Sequence, residues 1–489
     1  MTSLHLKRAL TTTLVATLSF AALAGCASLP PARGVSDIEK TTAARGLPPP
    51  AWTEQADARS GQPQLAQEPI TLSRALALAF ERNAEVRALY AELGIAQAEV
   101  VEASRLSNPR LAYSRLPGDG VTPQVTRGLA ITFTDLLFLP SRSRLAKAAF
   151  EGSRNRVAAS LIDLAAEVEV AWYEYVSAQQ VAEMRSMVMR AAEASAEYAE
   201  RLRTAGNISP RNLALEQAAA SQARITSARA SADAARARRD LANLLALNTA
   251  DRWNTVKVLP AIPKSADAFN DIEAGALANR LDLTAARQEA ELAASTLKFL
   301  RRWRWLGVVE LGYEWETETD GERMQGPTIG WELPLFNQNG SGILRQTAEV
   351  EAARARLAAL EISIRNEVAL AANVLATERD IAESYRTALL PQREAVLGRT
   401  FEEFNFMLSD AFELLQAKRE QFEAYEEYLE AVRDFWIARA NLRRLVGGQL
   451  PVDEPEPGDT IGVDSLLAPK PSESGSEPMD HSKHDGHTP

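Results

Sequence analysis

VAASLIDLAAEVEVAWYEY, residues 157–175, decides the fold. Val157, Leu161, Leu164, Val168, Trp172 and Tyr175 recur at spacings of three and four, so they share one helical stripe and form a seam for a partner. The helical pattern extends outward from this stretch, with no Pro and a single Gly between Arg142 and Thr204. An unbroken helix there would be about 90 Å long at 1.5 Å per residue. Gly206-Asn207-Ile208-Ser209-Pro210 interrupts it, and a second helical arm returns to Leu247. Ala dominates both arms, which favours helix and lets neighbouring helices approach closely. Such a hairpin cannot bury both flanks alone.

The chain has 489 residues, 46% of them hydrophobic, which is ample for a core. A formal net charge of −11, becoming about −13 once Lys7 and Arg8 leave with a leader, argues against a nucleic-acid partner. That leader is residues 1–25, where Lys7-Arg8 precede a mostly apolar run from Leu10 to Leu23. It reads as a secretory signal peptide, too short to span a membrane. Leu23-Ala24-Gly25-Cys26 resembles the bacterial lipobox, which implies lipidation of Cys26, and Ala27 implies sorting to the outer membrane. Cys26 is the only cysteine, so a disulfide within one chain is excluded.

Residues 26–69, rich in Pro, Ala and Gly, read as an extended segment laid on other structure. A helix is expected from Thr71 or Ser73 to about Ser104, broken near Asn83. Leu111–Arg115 and Gly128–Thr134 follow as strand candidates, and residues 248–271 as a connector after the hairpin. Then the chain starts again. Ala79-Phe80 matches Ala276-Leu277 at an offset of 197, Leu137-Phe138 matches Leu335-Phe336 at 198, Ser209 matches Ser409 at 200, and Leu241 matches Leu442 at 201. A slowly drifting offset signifies duplication, with repeats at 70–247 and 272–447.

Strands are clearer in the second copy. Val309, Leu311, Tyr313 and Trp315 alternate with polar residues, Thr319–Gly326 form a polar turn, and Ile329, Trp331, Leu333 and Leu335 alternate again. The second long hairpin carries Leu357, Leu360, Ile364 and Val368 upward and Phe422, Tyr425, Leu429, Val432 and Trp436 back, with its break near Phe406–Asp410 and a kink at Pro391. Residues 448–489 read as a disordered tail. The fold class is mainly α with a small β part.

Two copies of short helix, strand pair and very long hairpin behind a lipobox resemble the TolC family of bacterial outer-membrane channel proteins, over about residues 70–447. The resemblance implies a homotrimer whose strands form one twelve-stranded barrel, continued by an α-helical periplasmic tube. Independently, four strands with one apolar face cannot close alone, and open edges are not tolerated in lipid. Glu310, Glu314, Glu316 and Glu332 would face water or headgroups, and an acidic lumen favours cations. Trp303, Trp305, Trp315 and Trp331 cluster as an interfacial girdle would.

The resemblance places a periplasmic adaptor at the helix breaks, near Gly206, Asn207, Ile208 and Ser209, and near Met407, Leu408 and Ser409. It also places the pore constriction at Glu413 and Gln416. Met479, His481, His484 and His487 hold the three histidines left after the leader, at a spacing suited to copper or zinc. No other cofactor is required. The body lacks His and offers no phosphate-binding Gly loop, so an enzyme is not expected and energy must come from an inner-membrane pump. The expected function is a passive outer-membrane exit duct for heavy-metal cations. A duct for drugs or other organic compounds shares the architecture, and a periplasmic metal-binding or structural coiled-coil lipoprotein would explain helices and tail alone.

Overall fold

The computed structural model describes residues 35–49, 68–117, 122–248, 251–263, 272–448, 450 and 460–463. Signal peptide, Cys26 and the Met479–His487 cluster lie outside the described residues.

Helix α1 (Val35–Ala43) lies in the stretch expected to be extended, and buries Ile38 and Thr42. Helix α2 (Leu72–Arg82) is capped by Thr71, whose hydroxyl accepts from Arg74 N. Asn83 both ends α2 and starts α3 (Ala84–Ala103): its Oδ1 accepts from Glu85 N at 2.8 Å and its Nδ2 donates to Leu244 O at 3.0 Å. Strands β1 (Arg110–Leu116) and β2 (Gln124–Thr132) follow. Without any loop, β2 runs into α4 (Phe133–Thr204), 72 residues or about 108 Å at 1.5 Å per residue. Helix α5 (Pro210–Leu244) returns beside it.

The second half repeats the plan with α6 (Ile272–Asn279), α7 (Leu281–Trp303), β3 (Val309–Thr317), β4 (Arg323–Trp331), α8 (Gly340–Ser384), α9 (Leu390–Asn405) and α10 (Ala411–Leu445). Between α8 and α9 the helix widens into a π-turn, Tyr385–Leu389, just before Pro391. These four strands are antiparallel in one sheet of order β1-β2-β3-β4.

Several expected boundaries move. The alternation of Leu129, Ile131 and Phe133 continues past the true end of β2, because Phe133 and Thr134 already belong to α4, with Asp135 at its positive end. Leu137-Phe138 therefore lies within α4, where Phe138 packs edge-on against Phe299 and Trp303, with centroids 5.3 Å apart in each case. Strand β4 begins inside the expected polar turn, since Gly321 at φ +89° closes a hairpin over Glu318–Glu322 alone. It stops at Trp331, because Pro334 has no N–H for the ladder; Leu333 and Leu335 lie beyond it. Thr460–Ile461, in the stretch expected to be disordered, pairs with Leu259–Pro260, and Val463 is buried.

The core runs along α4 and α10, where these join the short elements. Trp172 Nε1 donates to Ile70 O at 3.2 Å, Trp436 Nε1 to Pro260 O at 2.9 Å, and Tyr173 stacks on Trp436 at 5.6 Å. A clasp of two arginines joins both ends of the described chain here. Arg45 donates to the carbonyls of Gly447, Thr41 and Asn279, while Arg443 donates to those of Leu450 and Arg45 and pairs with Glu169. The side chains of Arg443 and Glu169 are 4% and 5% exposed. Burial pushes the Glu169 carboxyl above its usual range, against the pull of Arg443 and Arg439. Removing one member strands the others without a counter-charge. Glu169→Gln is expected to lower stability by about 3 kcal/mol, read from guanidinium unfolding followed by helical circular dichroism in detergent; a loss below about 0.5 kcal/mol would contradict the clasp.

Candidate functional site: the sheet faces, the helical groove and the two tips

Pairing fixes which side chains share a face, because residues directly opposite in a ladder point the same way. Leu111 pairs with Leu129, Leu129 with Tyr313, Ile131 with Leu311, Leu311 with Ile329, and Val309 with Trp331. These form one apolar face that is largely open, with Ile329 75% and Leu111 77% exposed. The other face carries Glu310, Gly312, Glu314 and Glu316 opposite Thr132, Ala130, Gly128 and Thr126. Arg110 pairs with Glu310 at 3.1 Å across it, and Gln124 Nε2 donates to Glu316 Oε1 at 2.5 Å. Glu332 sits one residue past β4, its N–H donating to Val308 O at 2.9 Å. Gly312 is required by the close packing: a Cβ there would lie 2.6 Å from Thr328 Oγ1.

The sheet thus has an apolar exterior, a polar opposite face and two open edges, β1 and β4. Its strands of seven to nine residues are near the length that crosses a bilayer. Trp305 and Trp331 are exposed at its helical end, while Trp303 is tucked against Phe138. Among the described residues no helix is long and apolar enough to cross a membrane.

Below the sheet, the face of α4 turned away from the buried Trp172 is uncovered. Asp163, Glu167 and Glu174, with Asp240 of α5 and Arg444 of α10, line a groove of about 750 Å³. It is followed along α4 by another of about 360 Å³, lined by Arg185, Asp233, Glu426, Glu430 and Arg433 among others. Burial raises the Asp163 carboxyl above its usual range despite Arg444, and burial followed by repulsion from Glu85 and Asp163 raises Glu167. Sequence reading missed this groove. Its signal was the spacing of Asp163, Glu167 and Glu174 on the side opposite the apolar stripe, but only the flanking α5 and α10 make that side a channel.

The hairpin ends are built alike and furnished differently. At the first, Gly206 adopts φ +80° and Asn207 N donates to Leu202 O at 2.9 Å; at the second, Met407 adopts φ +59° and Leu408 N donates to Glu403 O at 2.9 Å. Ser209 caps α5 by accepting from Asn212 N at 3.1 Å. Its counterpart is Asp410 rather than Ser409: Asp410 Oδ1 accepts from Phe412 and Glu413 N, each at 2.8 Å. Ser409 instead donates to Glu413 Oε2 at 2.6 Å, and Gln416 bridges Glu420 and Arg419. Glu413 and Gln416 are both exposed, one turn apart. Ile208 is only partly exposed, whereas Phe406, Met407 and Leu408 stand out as an apolar knob, Met407 at 93%.

Among the described residues, no three His, Cys, Asp or Glu side chains gather in a way that could hold a metal ion. The arrangement defines a structural class: a small sheet with one apolar exposed face, carried on long helical staves.

Comparison with known proteins gives the same class. Residues 274–448 match the family described as Outer membrane efflux protein. The cobalt-zinc-cadmium resistance protein CzcC of Cupriavidus metallidurans is 25% identical over 413 residues, 79% of this chain and 92% of that protein. The outer-membrane channel OprN shares the fold with a TM-score of 0.64 at 19% identity, covering 83% of this chain and 95% of that one. The Campylobacter jejuni CmeC outer membrane channel does so with a TM-score of 0.63 at 12% identity, covering 81% and 92%. The second half of the chain thus matches that family, and the described fold as a whole is the one found in outer-membrane channel structures.

A left-handed conformation costs a side-chain-bearing residue about 1 kcal/mol, and glycine nothing. Met407→Gly is expected to slow local opening of amides 403–408 about fivefold in hydrogen exchange, and Gly206→Ala to speed that of 202–207 by a similar factor. Equal rates in parent and variants would remove the strain assigned to Met407.

Proposed function

We propose that three copies of the chain join their sheets into one twelve-stranded barrel and their staves into a tube, forming a passive exit duct for heavy-metal cations. An inner-membrane pump feeds it through a periplasmic adaptor that docks on the two tips. The observation that carries the duct is the sheet itself: an exposed apolar face backed by Glu310, Glu314 and Glu316, with neither edge paired. Closure within one copy would need strands the chain lacks among its described residues, and identical copies supply them head to tail.

Cation cargo is supported by the uncovered groove. Asp163, Glu167 and Glu174 line a groove with Asp240 on the side of α4 opposite the buried Trp172, and in this reading that side faces the lumen. Carboxylates along a narrow aqueous path attract cations and repel anions. The resistance of CzcC to cobalt, zinc and cadmium, as its name states, points the same way. Removing the protein from its host is expected to sensitise cells to zinc, cobalt, cadmium or copper without broad sensitivity to organic antibiotics. The opposite pattern would make it a duct for organic compounds, and a soluble monomer on native mass measurement in detergent would end the channel reading.

Glu413 is assigned to the pore constriction, its carboxylate steadied by Ser409, with Gln416 beside it. Three symmetry-related copies near an axis would concentrate negative charge there. Glu413→Ala is expected to weaken block of single-channel current by divalent cations; unchanged block would remove the assignment.

Met479, His481, His484 and His487 are assigned a metal-collecting role, with copper or zinc as ligand. Imidazoles and a thioether suit such borderline and soft ions. The full-length protein is expected to hold copper or zinc against a weak chelator, and the variant with all three tail histidines changed to Ala to release it. Equal retention by both would show that the tail is not the binding site.

A further inference from the structure

Two stretches of the second repeat meet where staves and sheet join: the end of α7 with residues 304–308, and residues 332–339 with the first turns of α8. They lie in close contact. Glu332 N donates to Val308 O at 2.9 Å, and only glycine fits at 307, where a Cβ would overlap Glu332 O. Arg304 donates to Gln338 Oε1 at 3.1 Å and Arg301 to Thr347 Oγ1 at 3.5 Å. No Asp or Glu occurs from Leu292 to Val309 or from Leu333 to Ala348, whereas Lys298, Arg301, Arg302, Arg304 and Arg345 all fall there, in a chain of net charge −11. All five are exposed, and among the described residues none pairs with a carboxylate.

The same level of the first repeat is furnished differently, with Glu99, Glu102 and Asp135 among Arg105 and Arg142, and Asp135 paired with Arg142 at 3.3 Å. The negative end of the α7 dipole explains cations in its last turn, Arg301 and Arg302, but not Arg304, Arg345 or the missing acids. Apolar side chains stand among these cations. Trp331 closes the lower end of the apolar sheet face opposite Val309, so the patch continues that face. Trp305 and Trp331 are 60% and 59% exposed, and Leu333, Leu335 and Phe336 lie open on the adjoining stretch. The Arg304 guanidinium sits 4.9 Å from the Trp305 ring centroid, and that of Arg302 5.5 Å from the Trp303 ring centroid. A guanidinium held over a ring still offers its fork of N–H donors to an anion. Indoles favour the headgroup level of a bilayer, and long basic side chains reach from there to phosphate. Unbalanced positive charge selects a headgroup that brings no cation of its own.

We propose that this patch binds an anionic phospholipid of the leaflet that faces the staves. Arg301, Arg302 and Arg304 hold its phosphate, while Trp305, Trp331 and Phe336 rest against the upper acyl chains. The site rests on the sheet being membrane-spanning, as proposed above. It gives each copy one lipid site, on the second repeat alone.

The test offers the full-length protein, in a neutral detergent, equal amounts of phosphatidylglycerol and phosphatidylcholine with the same acyl chains, and counts bound lipid by native mass spectrometry. The unaltered protein is expected to retain phosphatidylglycerol about tenfold over phosphatidylcholine. High salt during loading is expected to abolish that preference, a reading that needs no variant. The variant carrying Arg301→Gln, Arg302→Gln and Arg304→Gln is expected to retain both lipids alike, and the one with Lys at the same three positions to keep most of the preference. Arg144→Gln with Lys147→Gln, exposed cations of the first repeat, is expected to keep all of it. Equal retention of the two lipids by the unaltered protein, or a preference that survives the three Gln substitutions, would overturn the site and leave the duct standing. A Gln variant that falls apart into single copies would show the guanidiniums meeting carboxylates of a neighbouring copy, which also overturns the site. Retention of neither lipid by the unaltered protein would remove both the site and the membrane-spanning sheet beneath it.

Discussion

A strand edge in hydrocarbon leaves N–H and C=O groups with nothing to bond, at a cost of several kcal/mol for each group. This chain carries two such edges, β1 and β4, on a sheet whose apolar face suits lipid. Everything below the sheet answers that constraint. The staves carry Ala-rich flanks that pack side by side, and the duplicated plan gives each chain one edge of each kind. Unlike edges that fit one another head to tail build rings rather than pairs when the rotation closes.

A second requirement is to keep the staves in register along a length far greater than that of an ordinary helix. The short elements meet this need by packing as a belt against α4 and α10. Trp172 and Trp436 each place an indole N–H on a carbonyl of the belt, at Ile70 and Pro260. Arg45 and Arg443 then fasten the start of the described chain to its end by donating to backbone carbonyls. Because carbonyls rather than side chains accept most of these bonds, the fastening tolerates sequence change in the segments it holds.

Much of this was legible in the sequence. Long 3.6-residue periodicity without Pro exposed the staves, and drifting offsets exposed the repeat. The alternation from Val309 to Trp315 exposed β3. What failed did so for physical reasons. Arg323–Gly326 has no apolar alternation, so only pairing with β3 shows it to be strand. Phe133 fits the alternation of β2 equally well as strand or helix. Ser409 resembles Ser209, yet Asp410 takes the cap because the left-handed residues, Gly206 and Met407, are 201 positions apart rather than the 200 that separate the serines. The groove acids gave no sign of their role, since Asp163, Glu167 and Glu174 become a lining only when α5 and α10 rise on either side. The groove acids take their meaning from helices distant in sequence, whereas the cap turns on Met407, three residues before Asp410.

The junction of sheet and stave differs between the repeats. In the first, Thr132 ends the strand and Phe133 starts the helix with nothing between them; in the second, residues 332–339 intervene. In mechanical terms the first stave is a cantilever built into the sheet, so its slope is set by the tilt of β2. The second is pinned at its top and can take up torque without passing it on. In the proposed ring, alternating built-in and pinned members would let the lower rim twist while the upper rim keeps its shape.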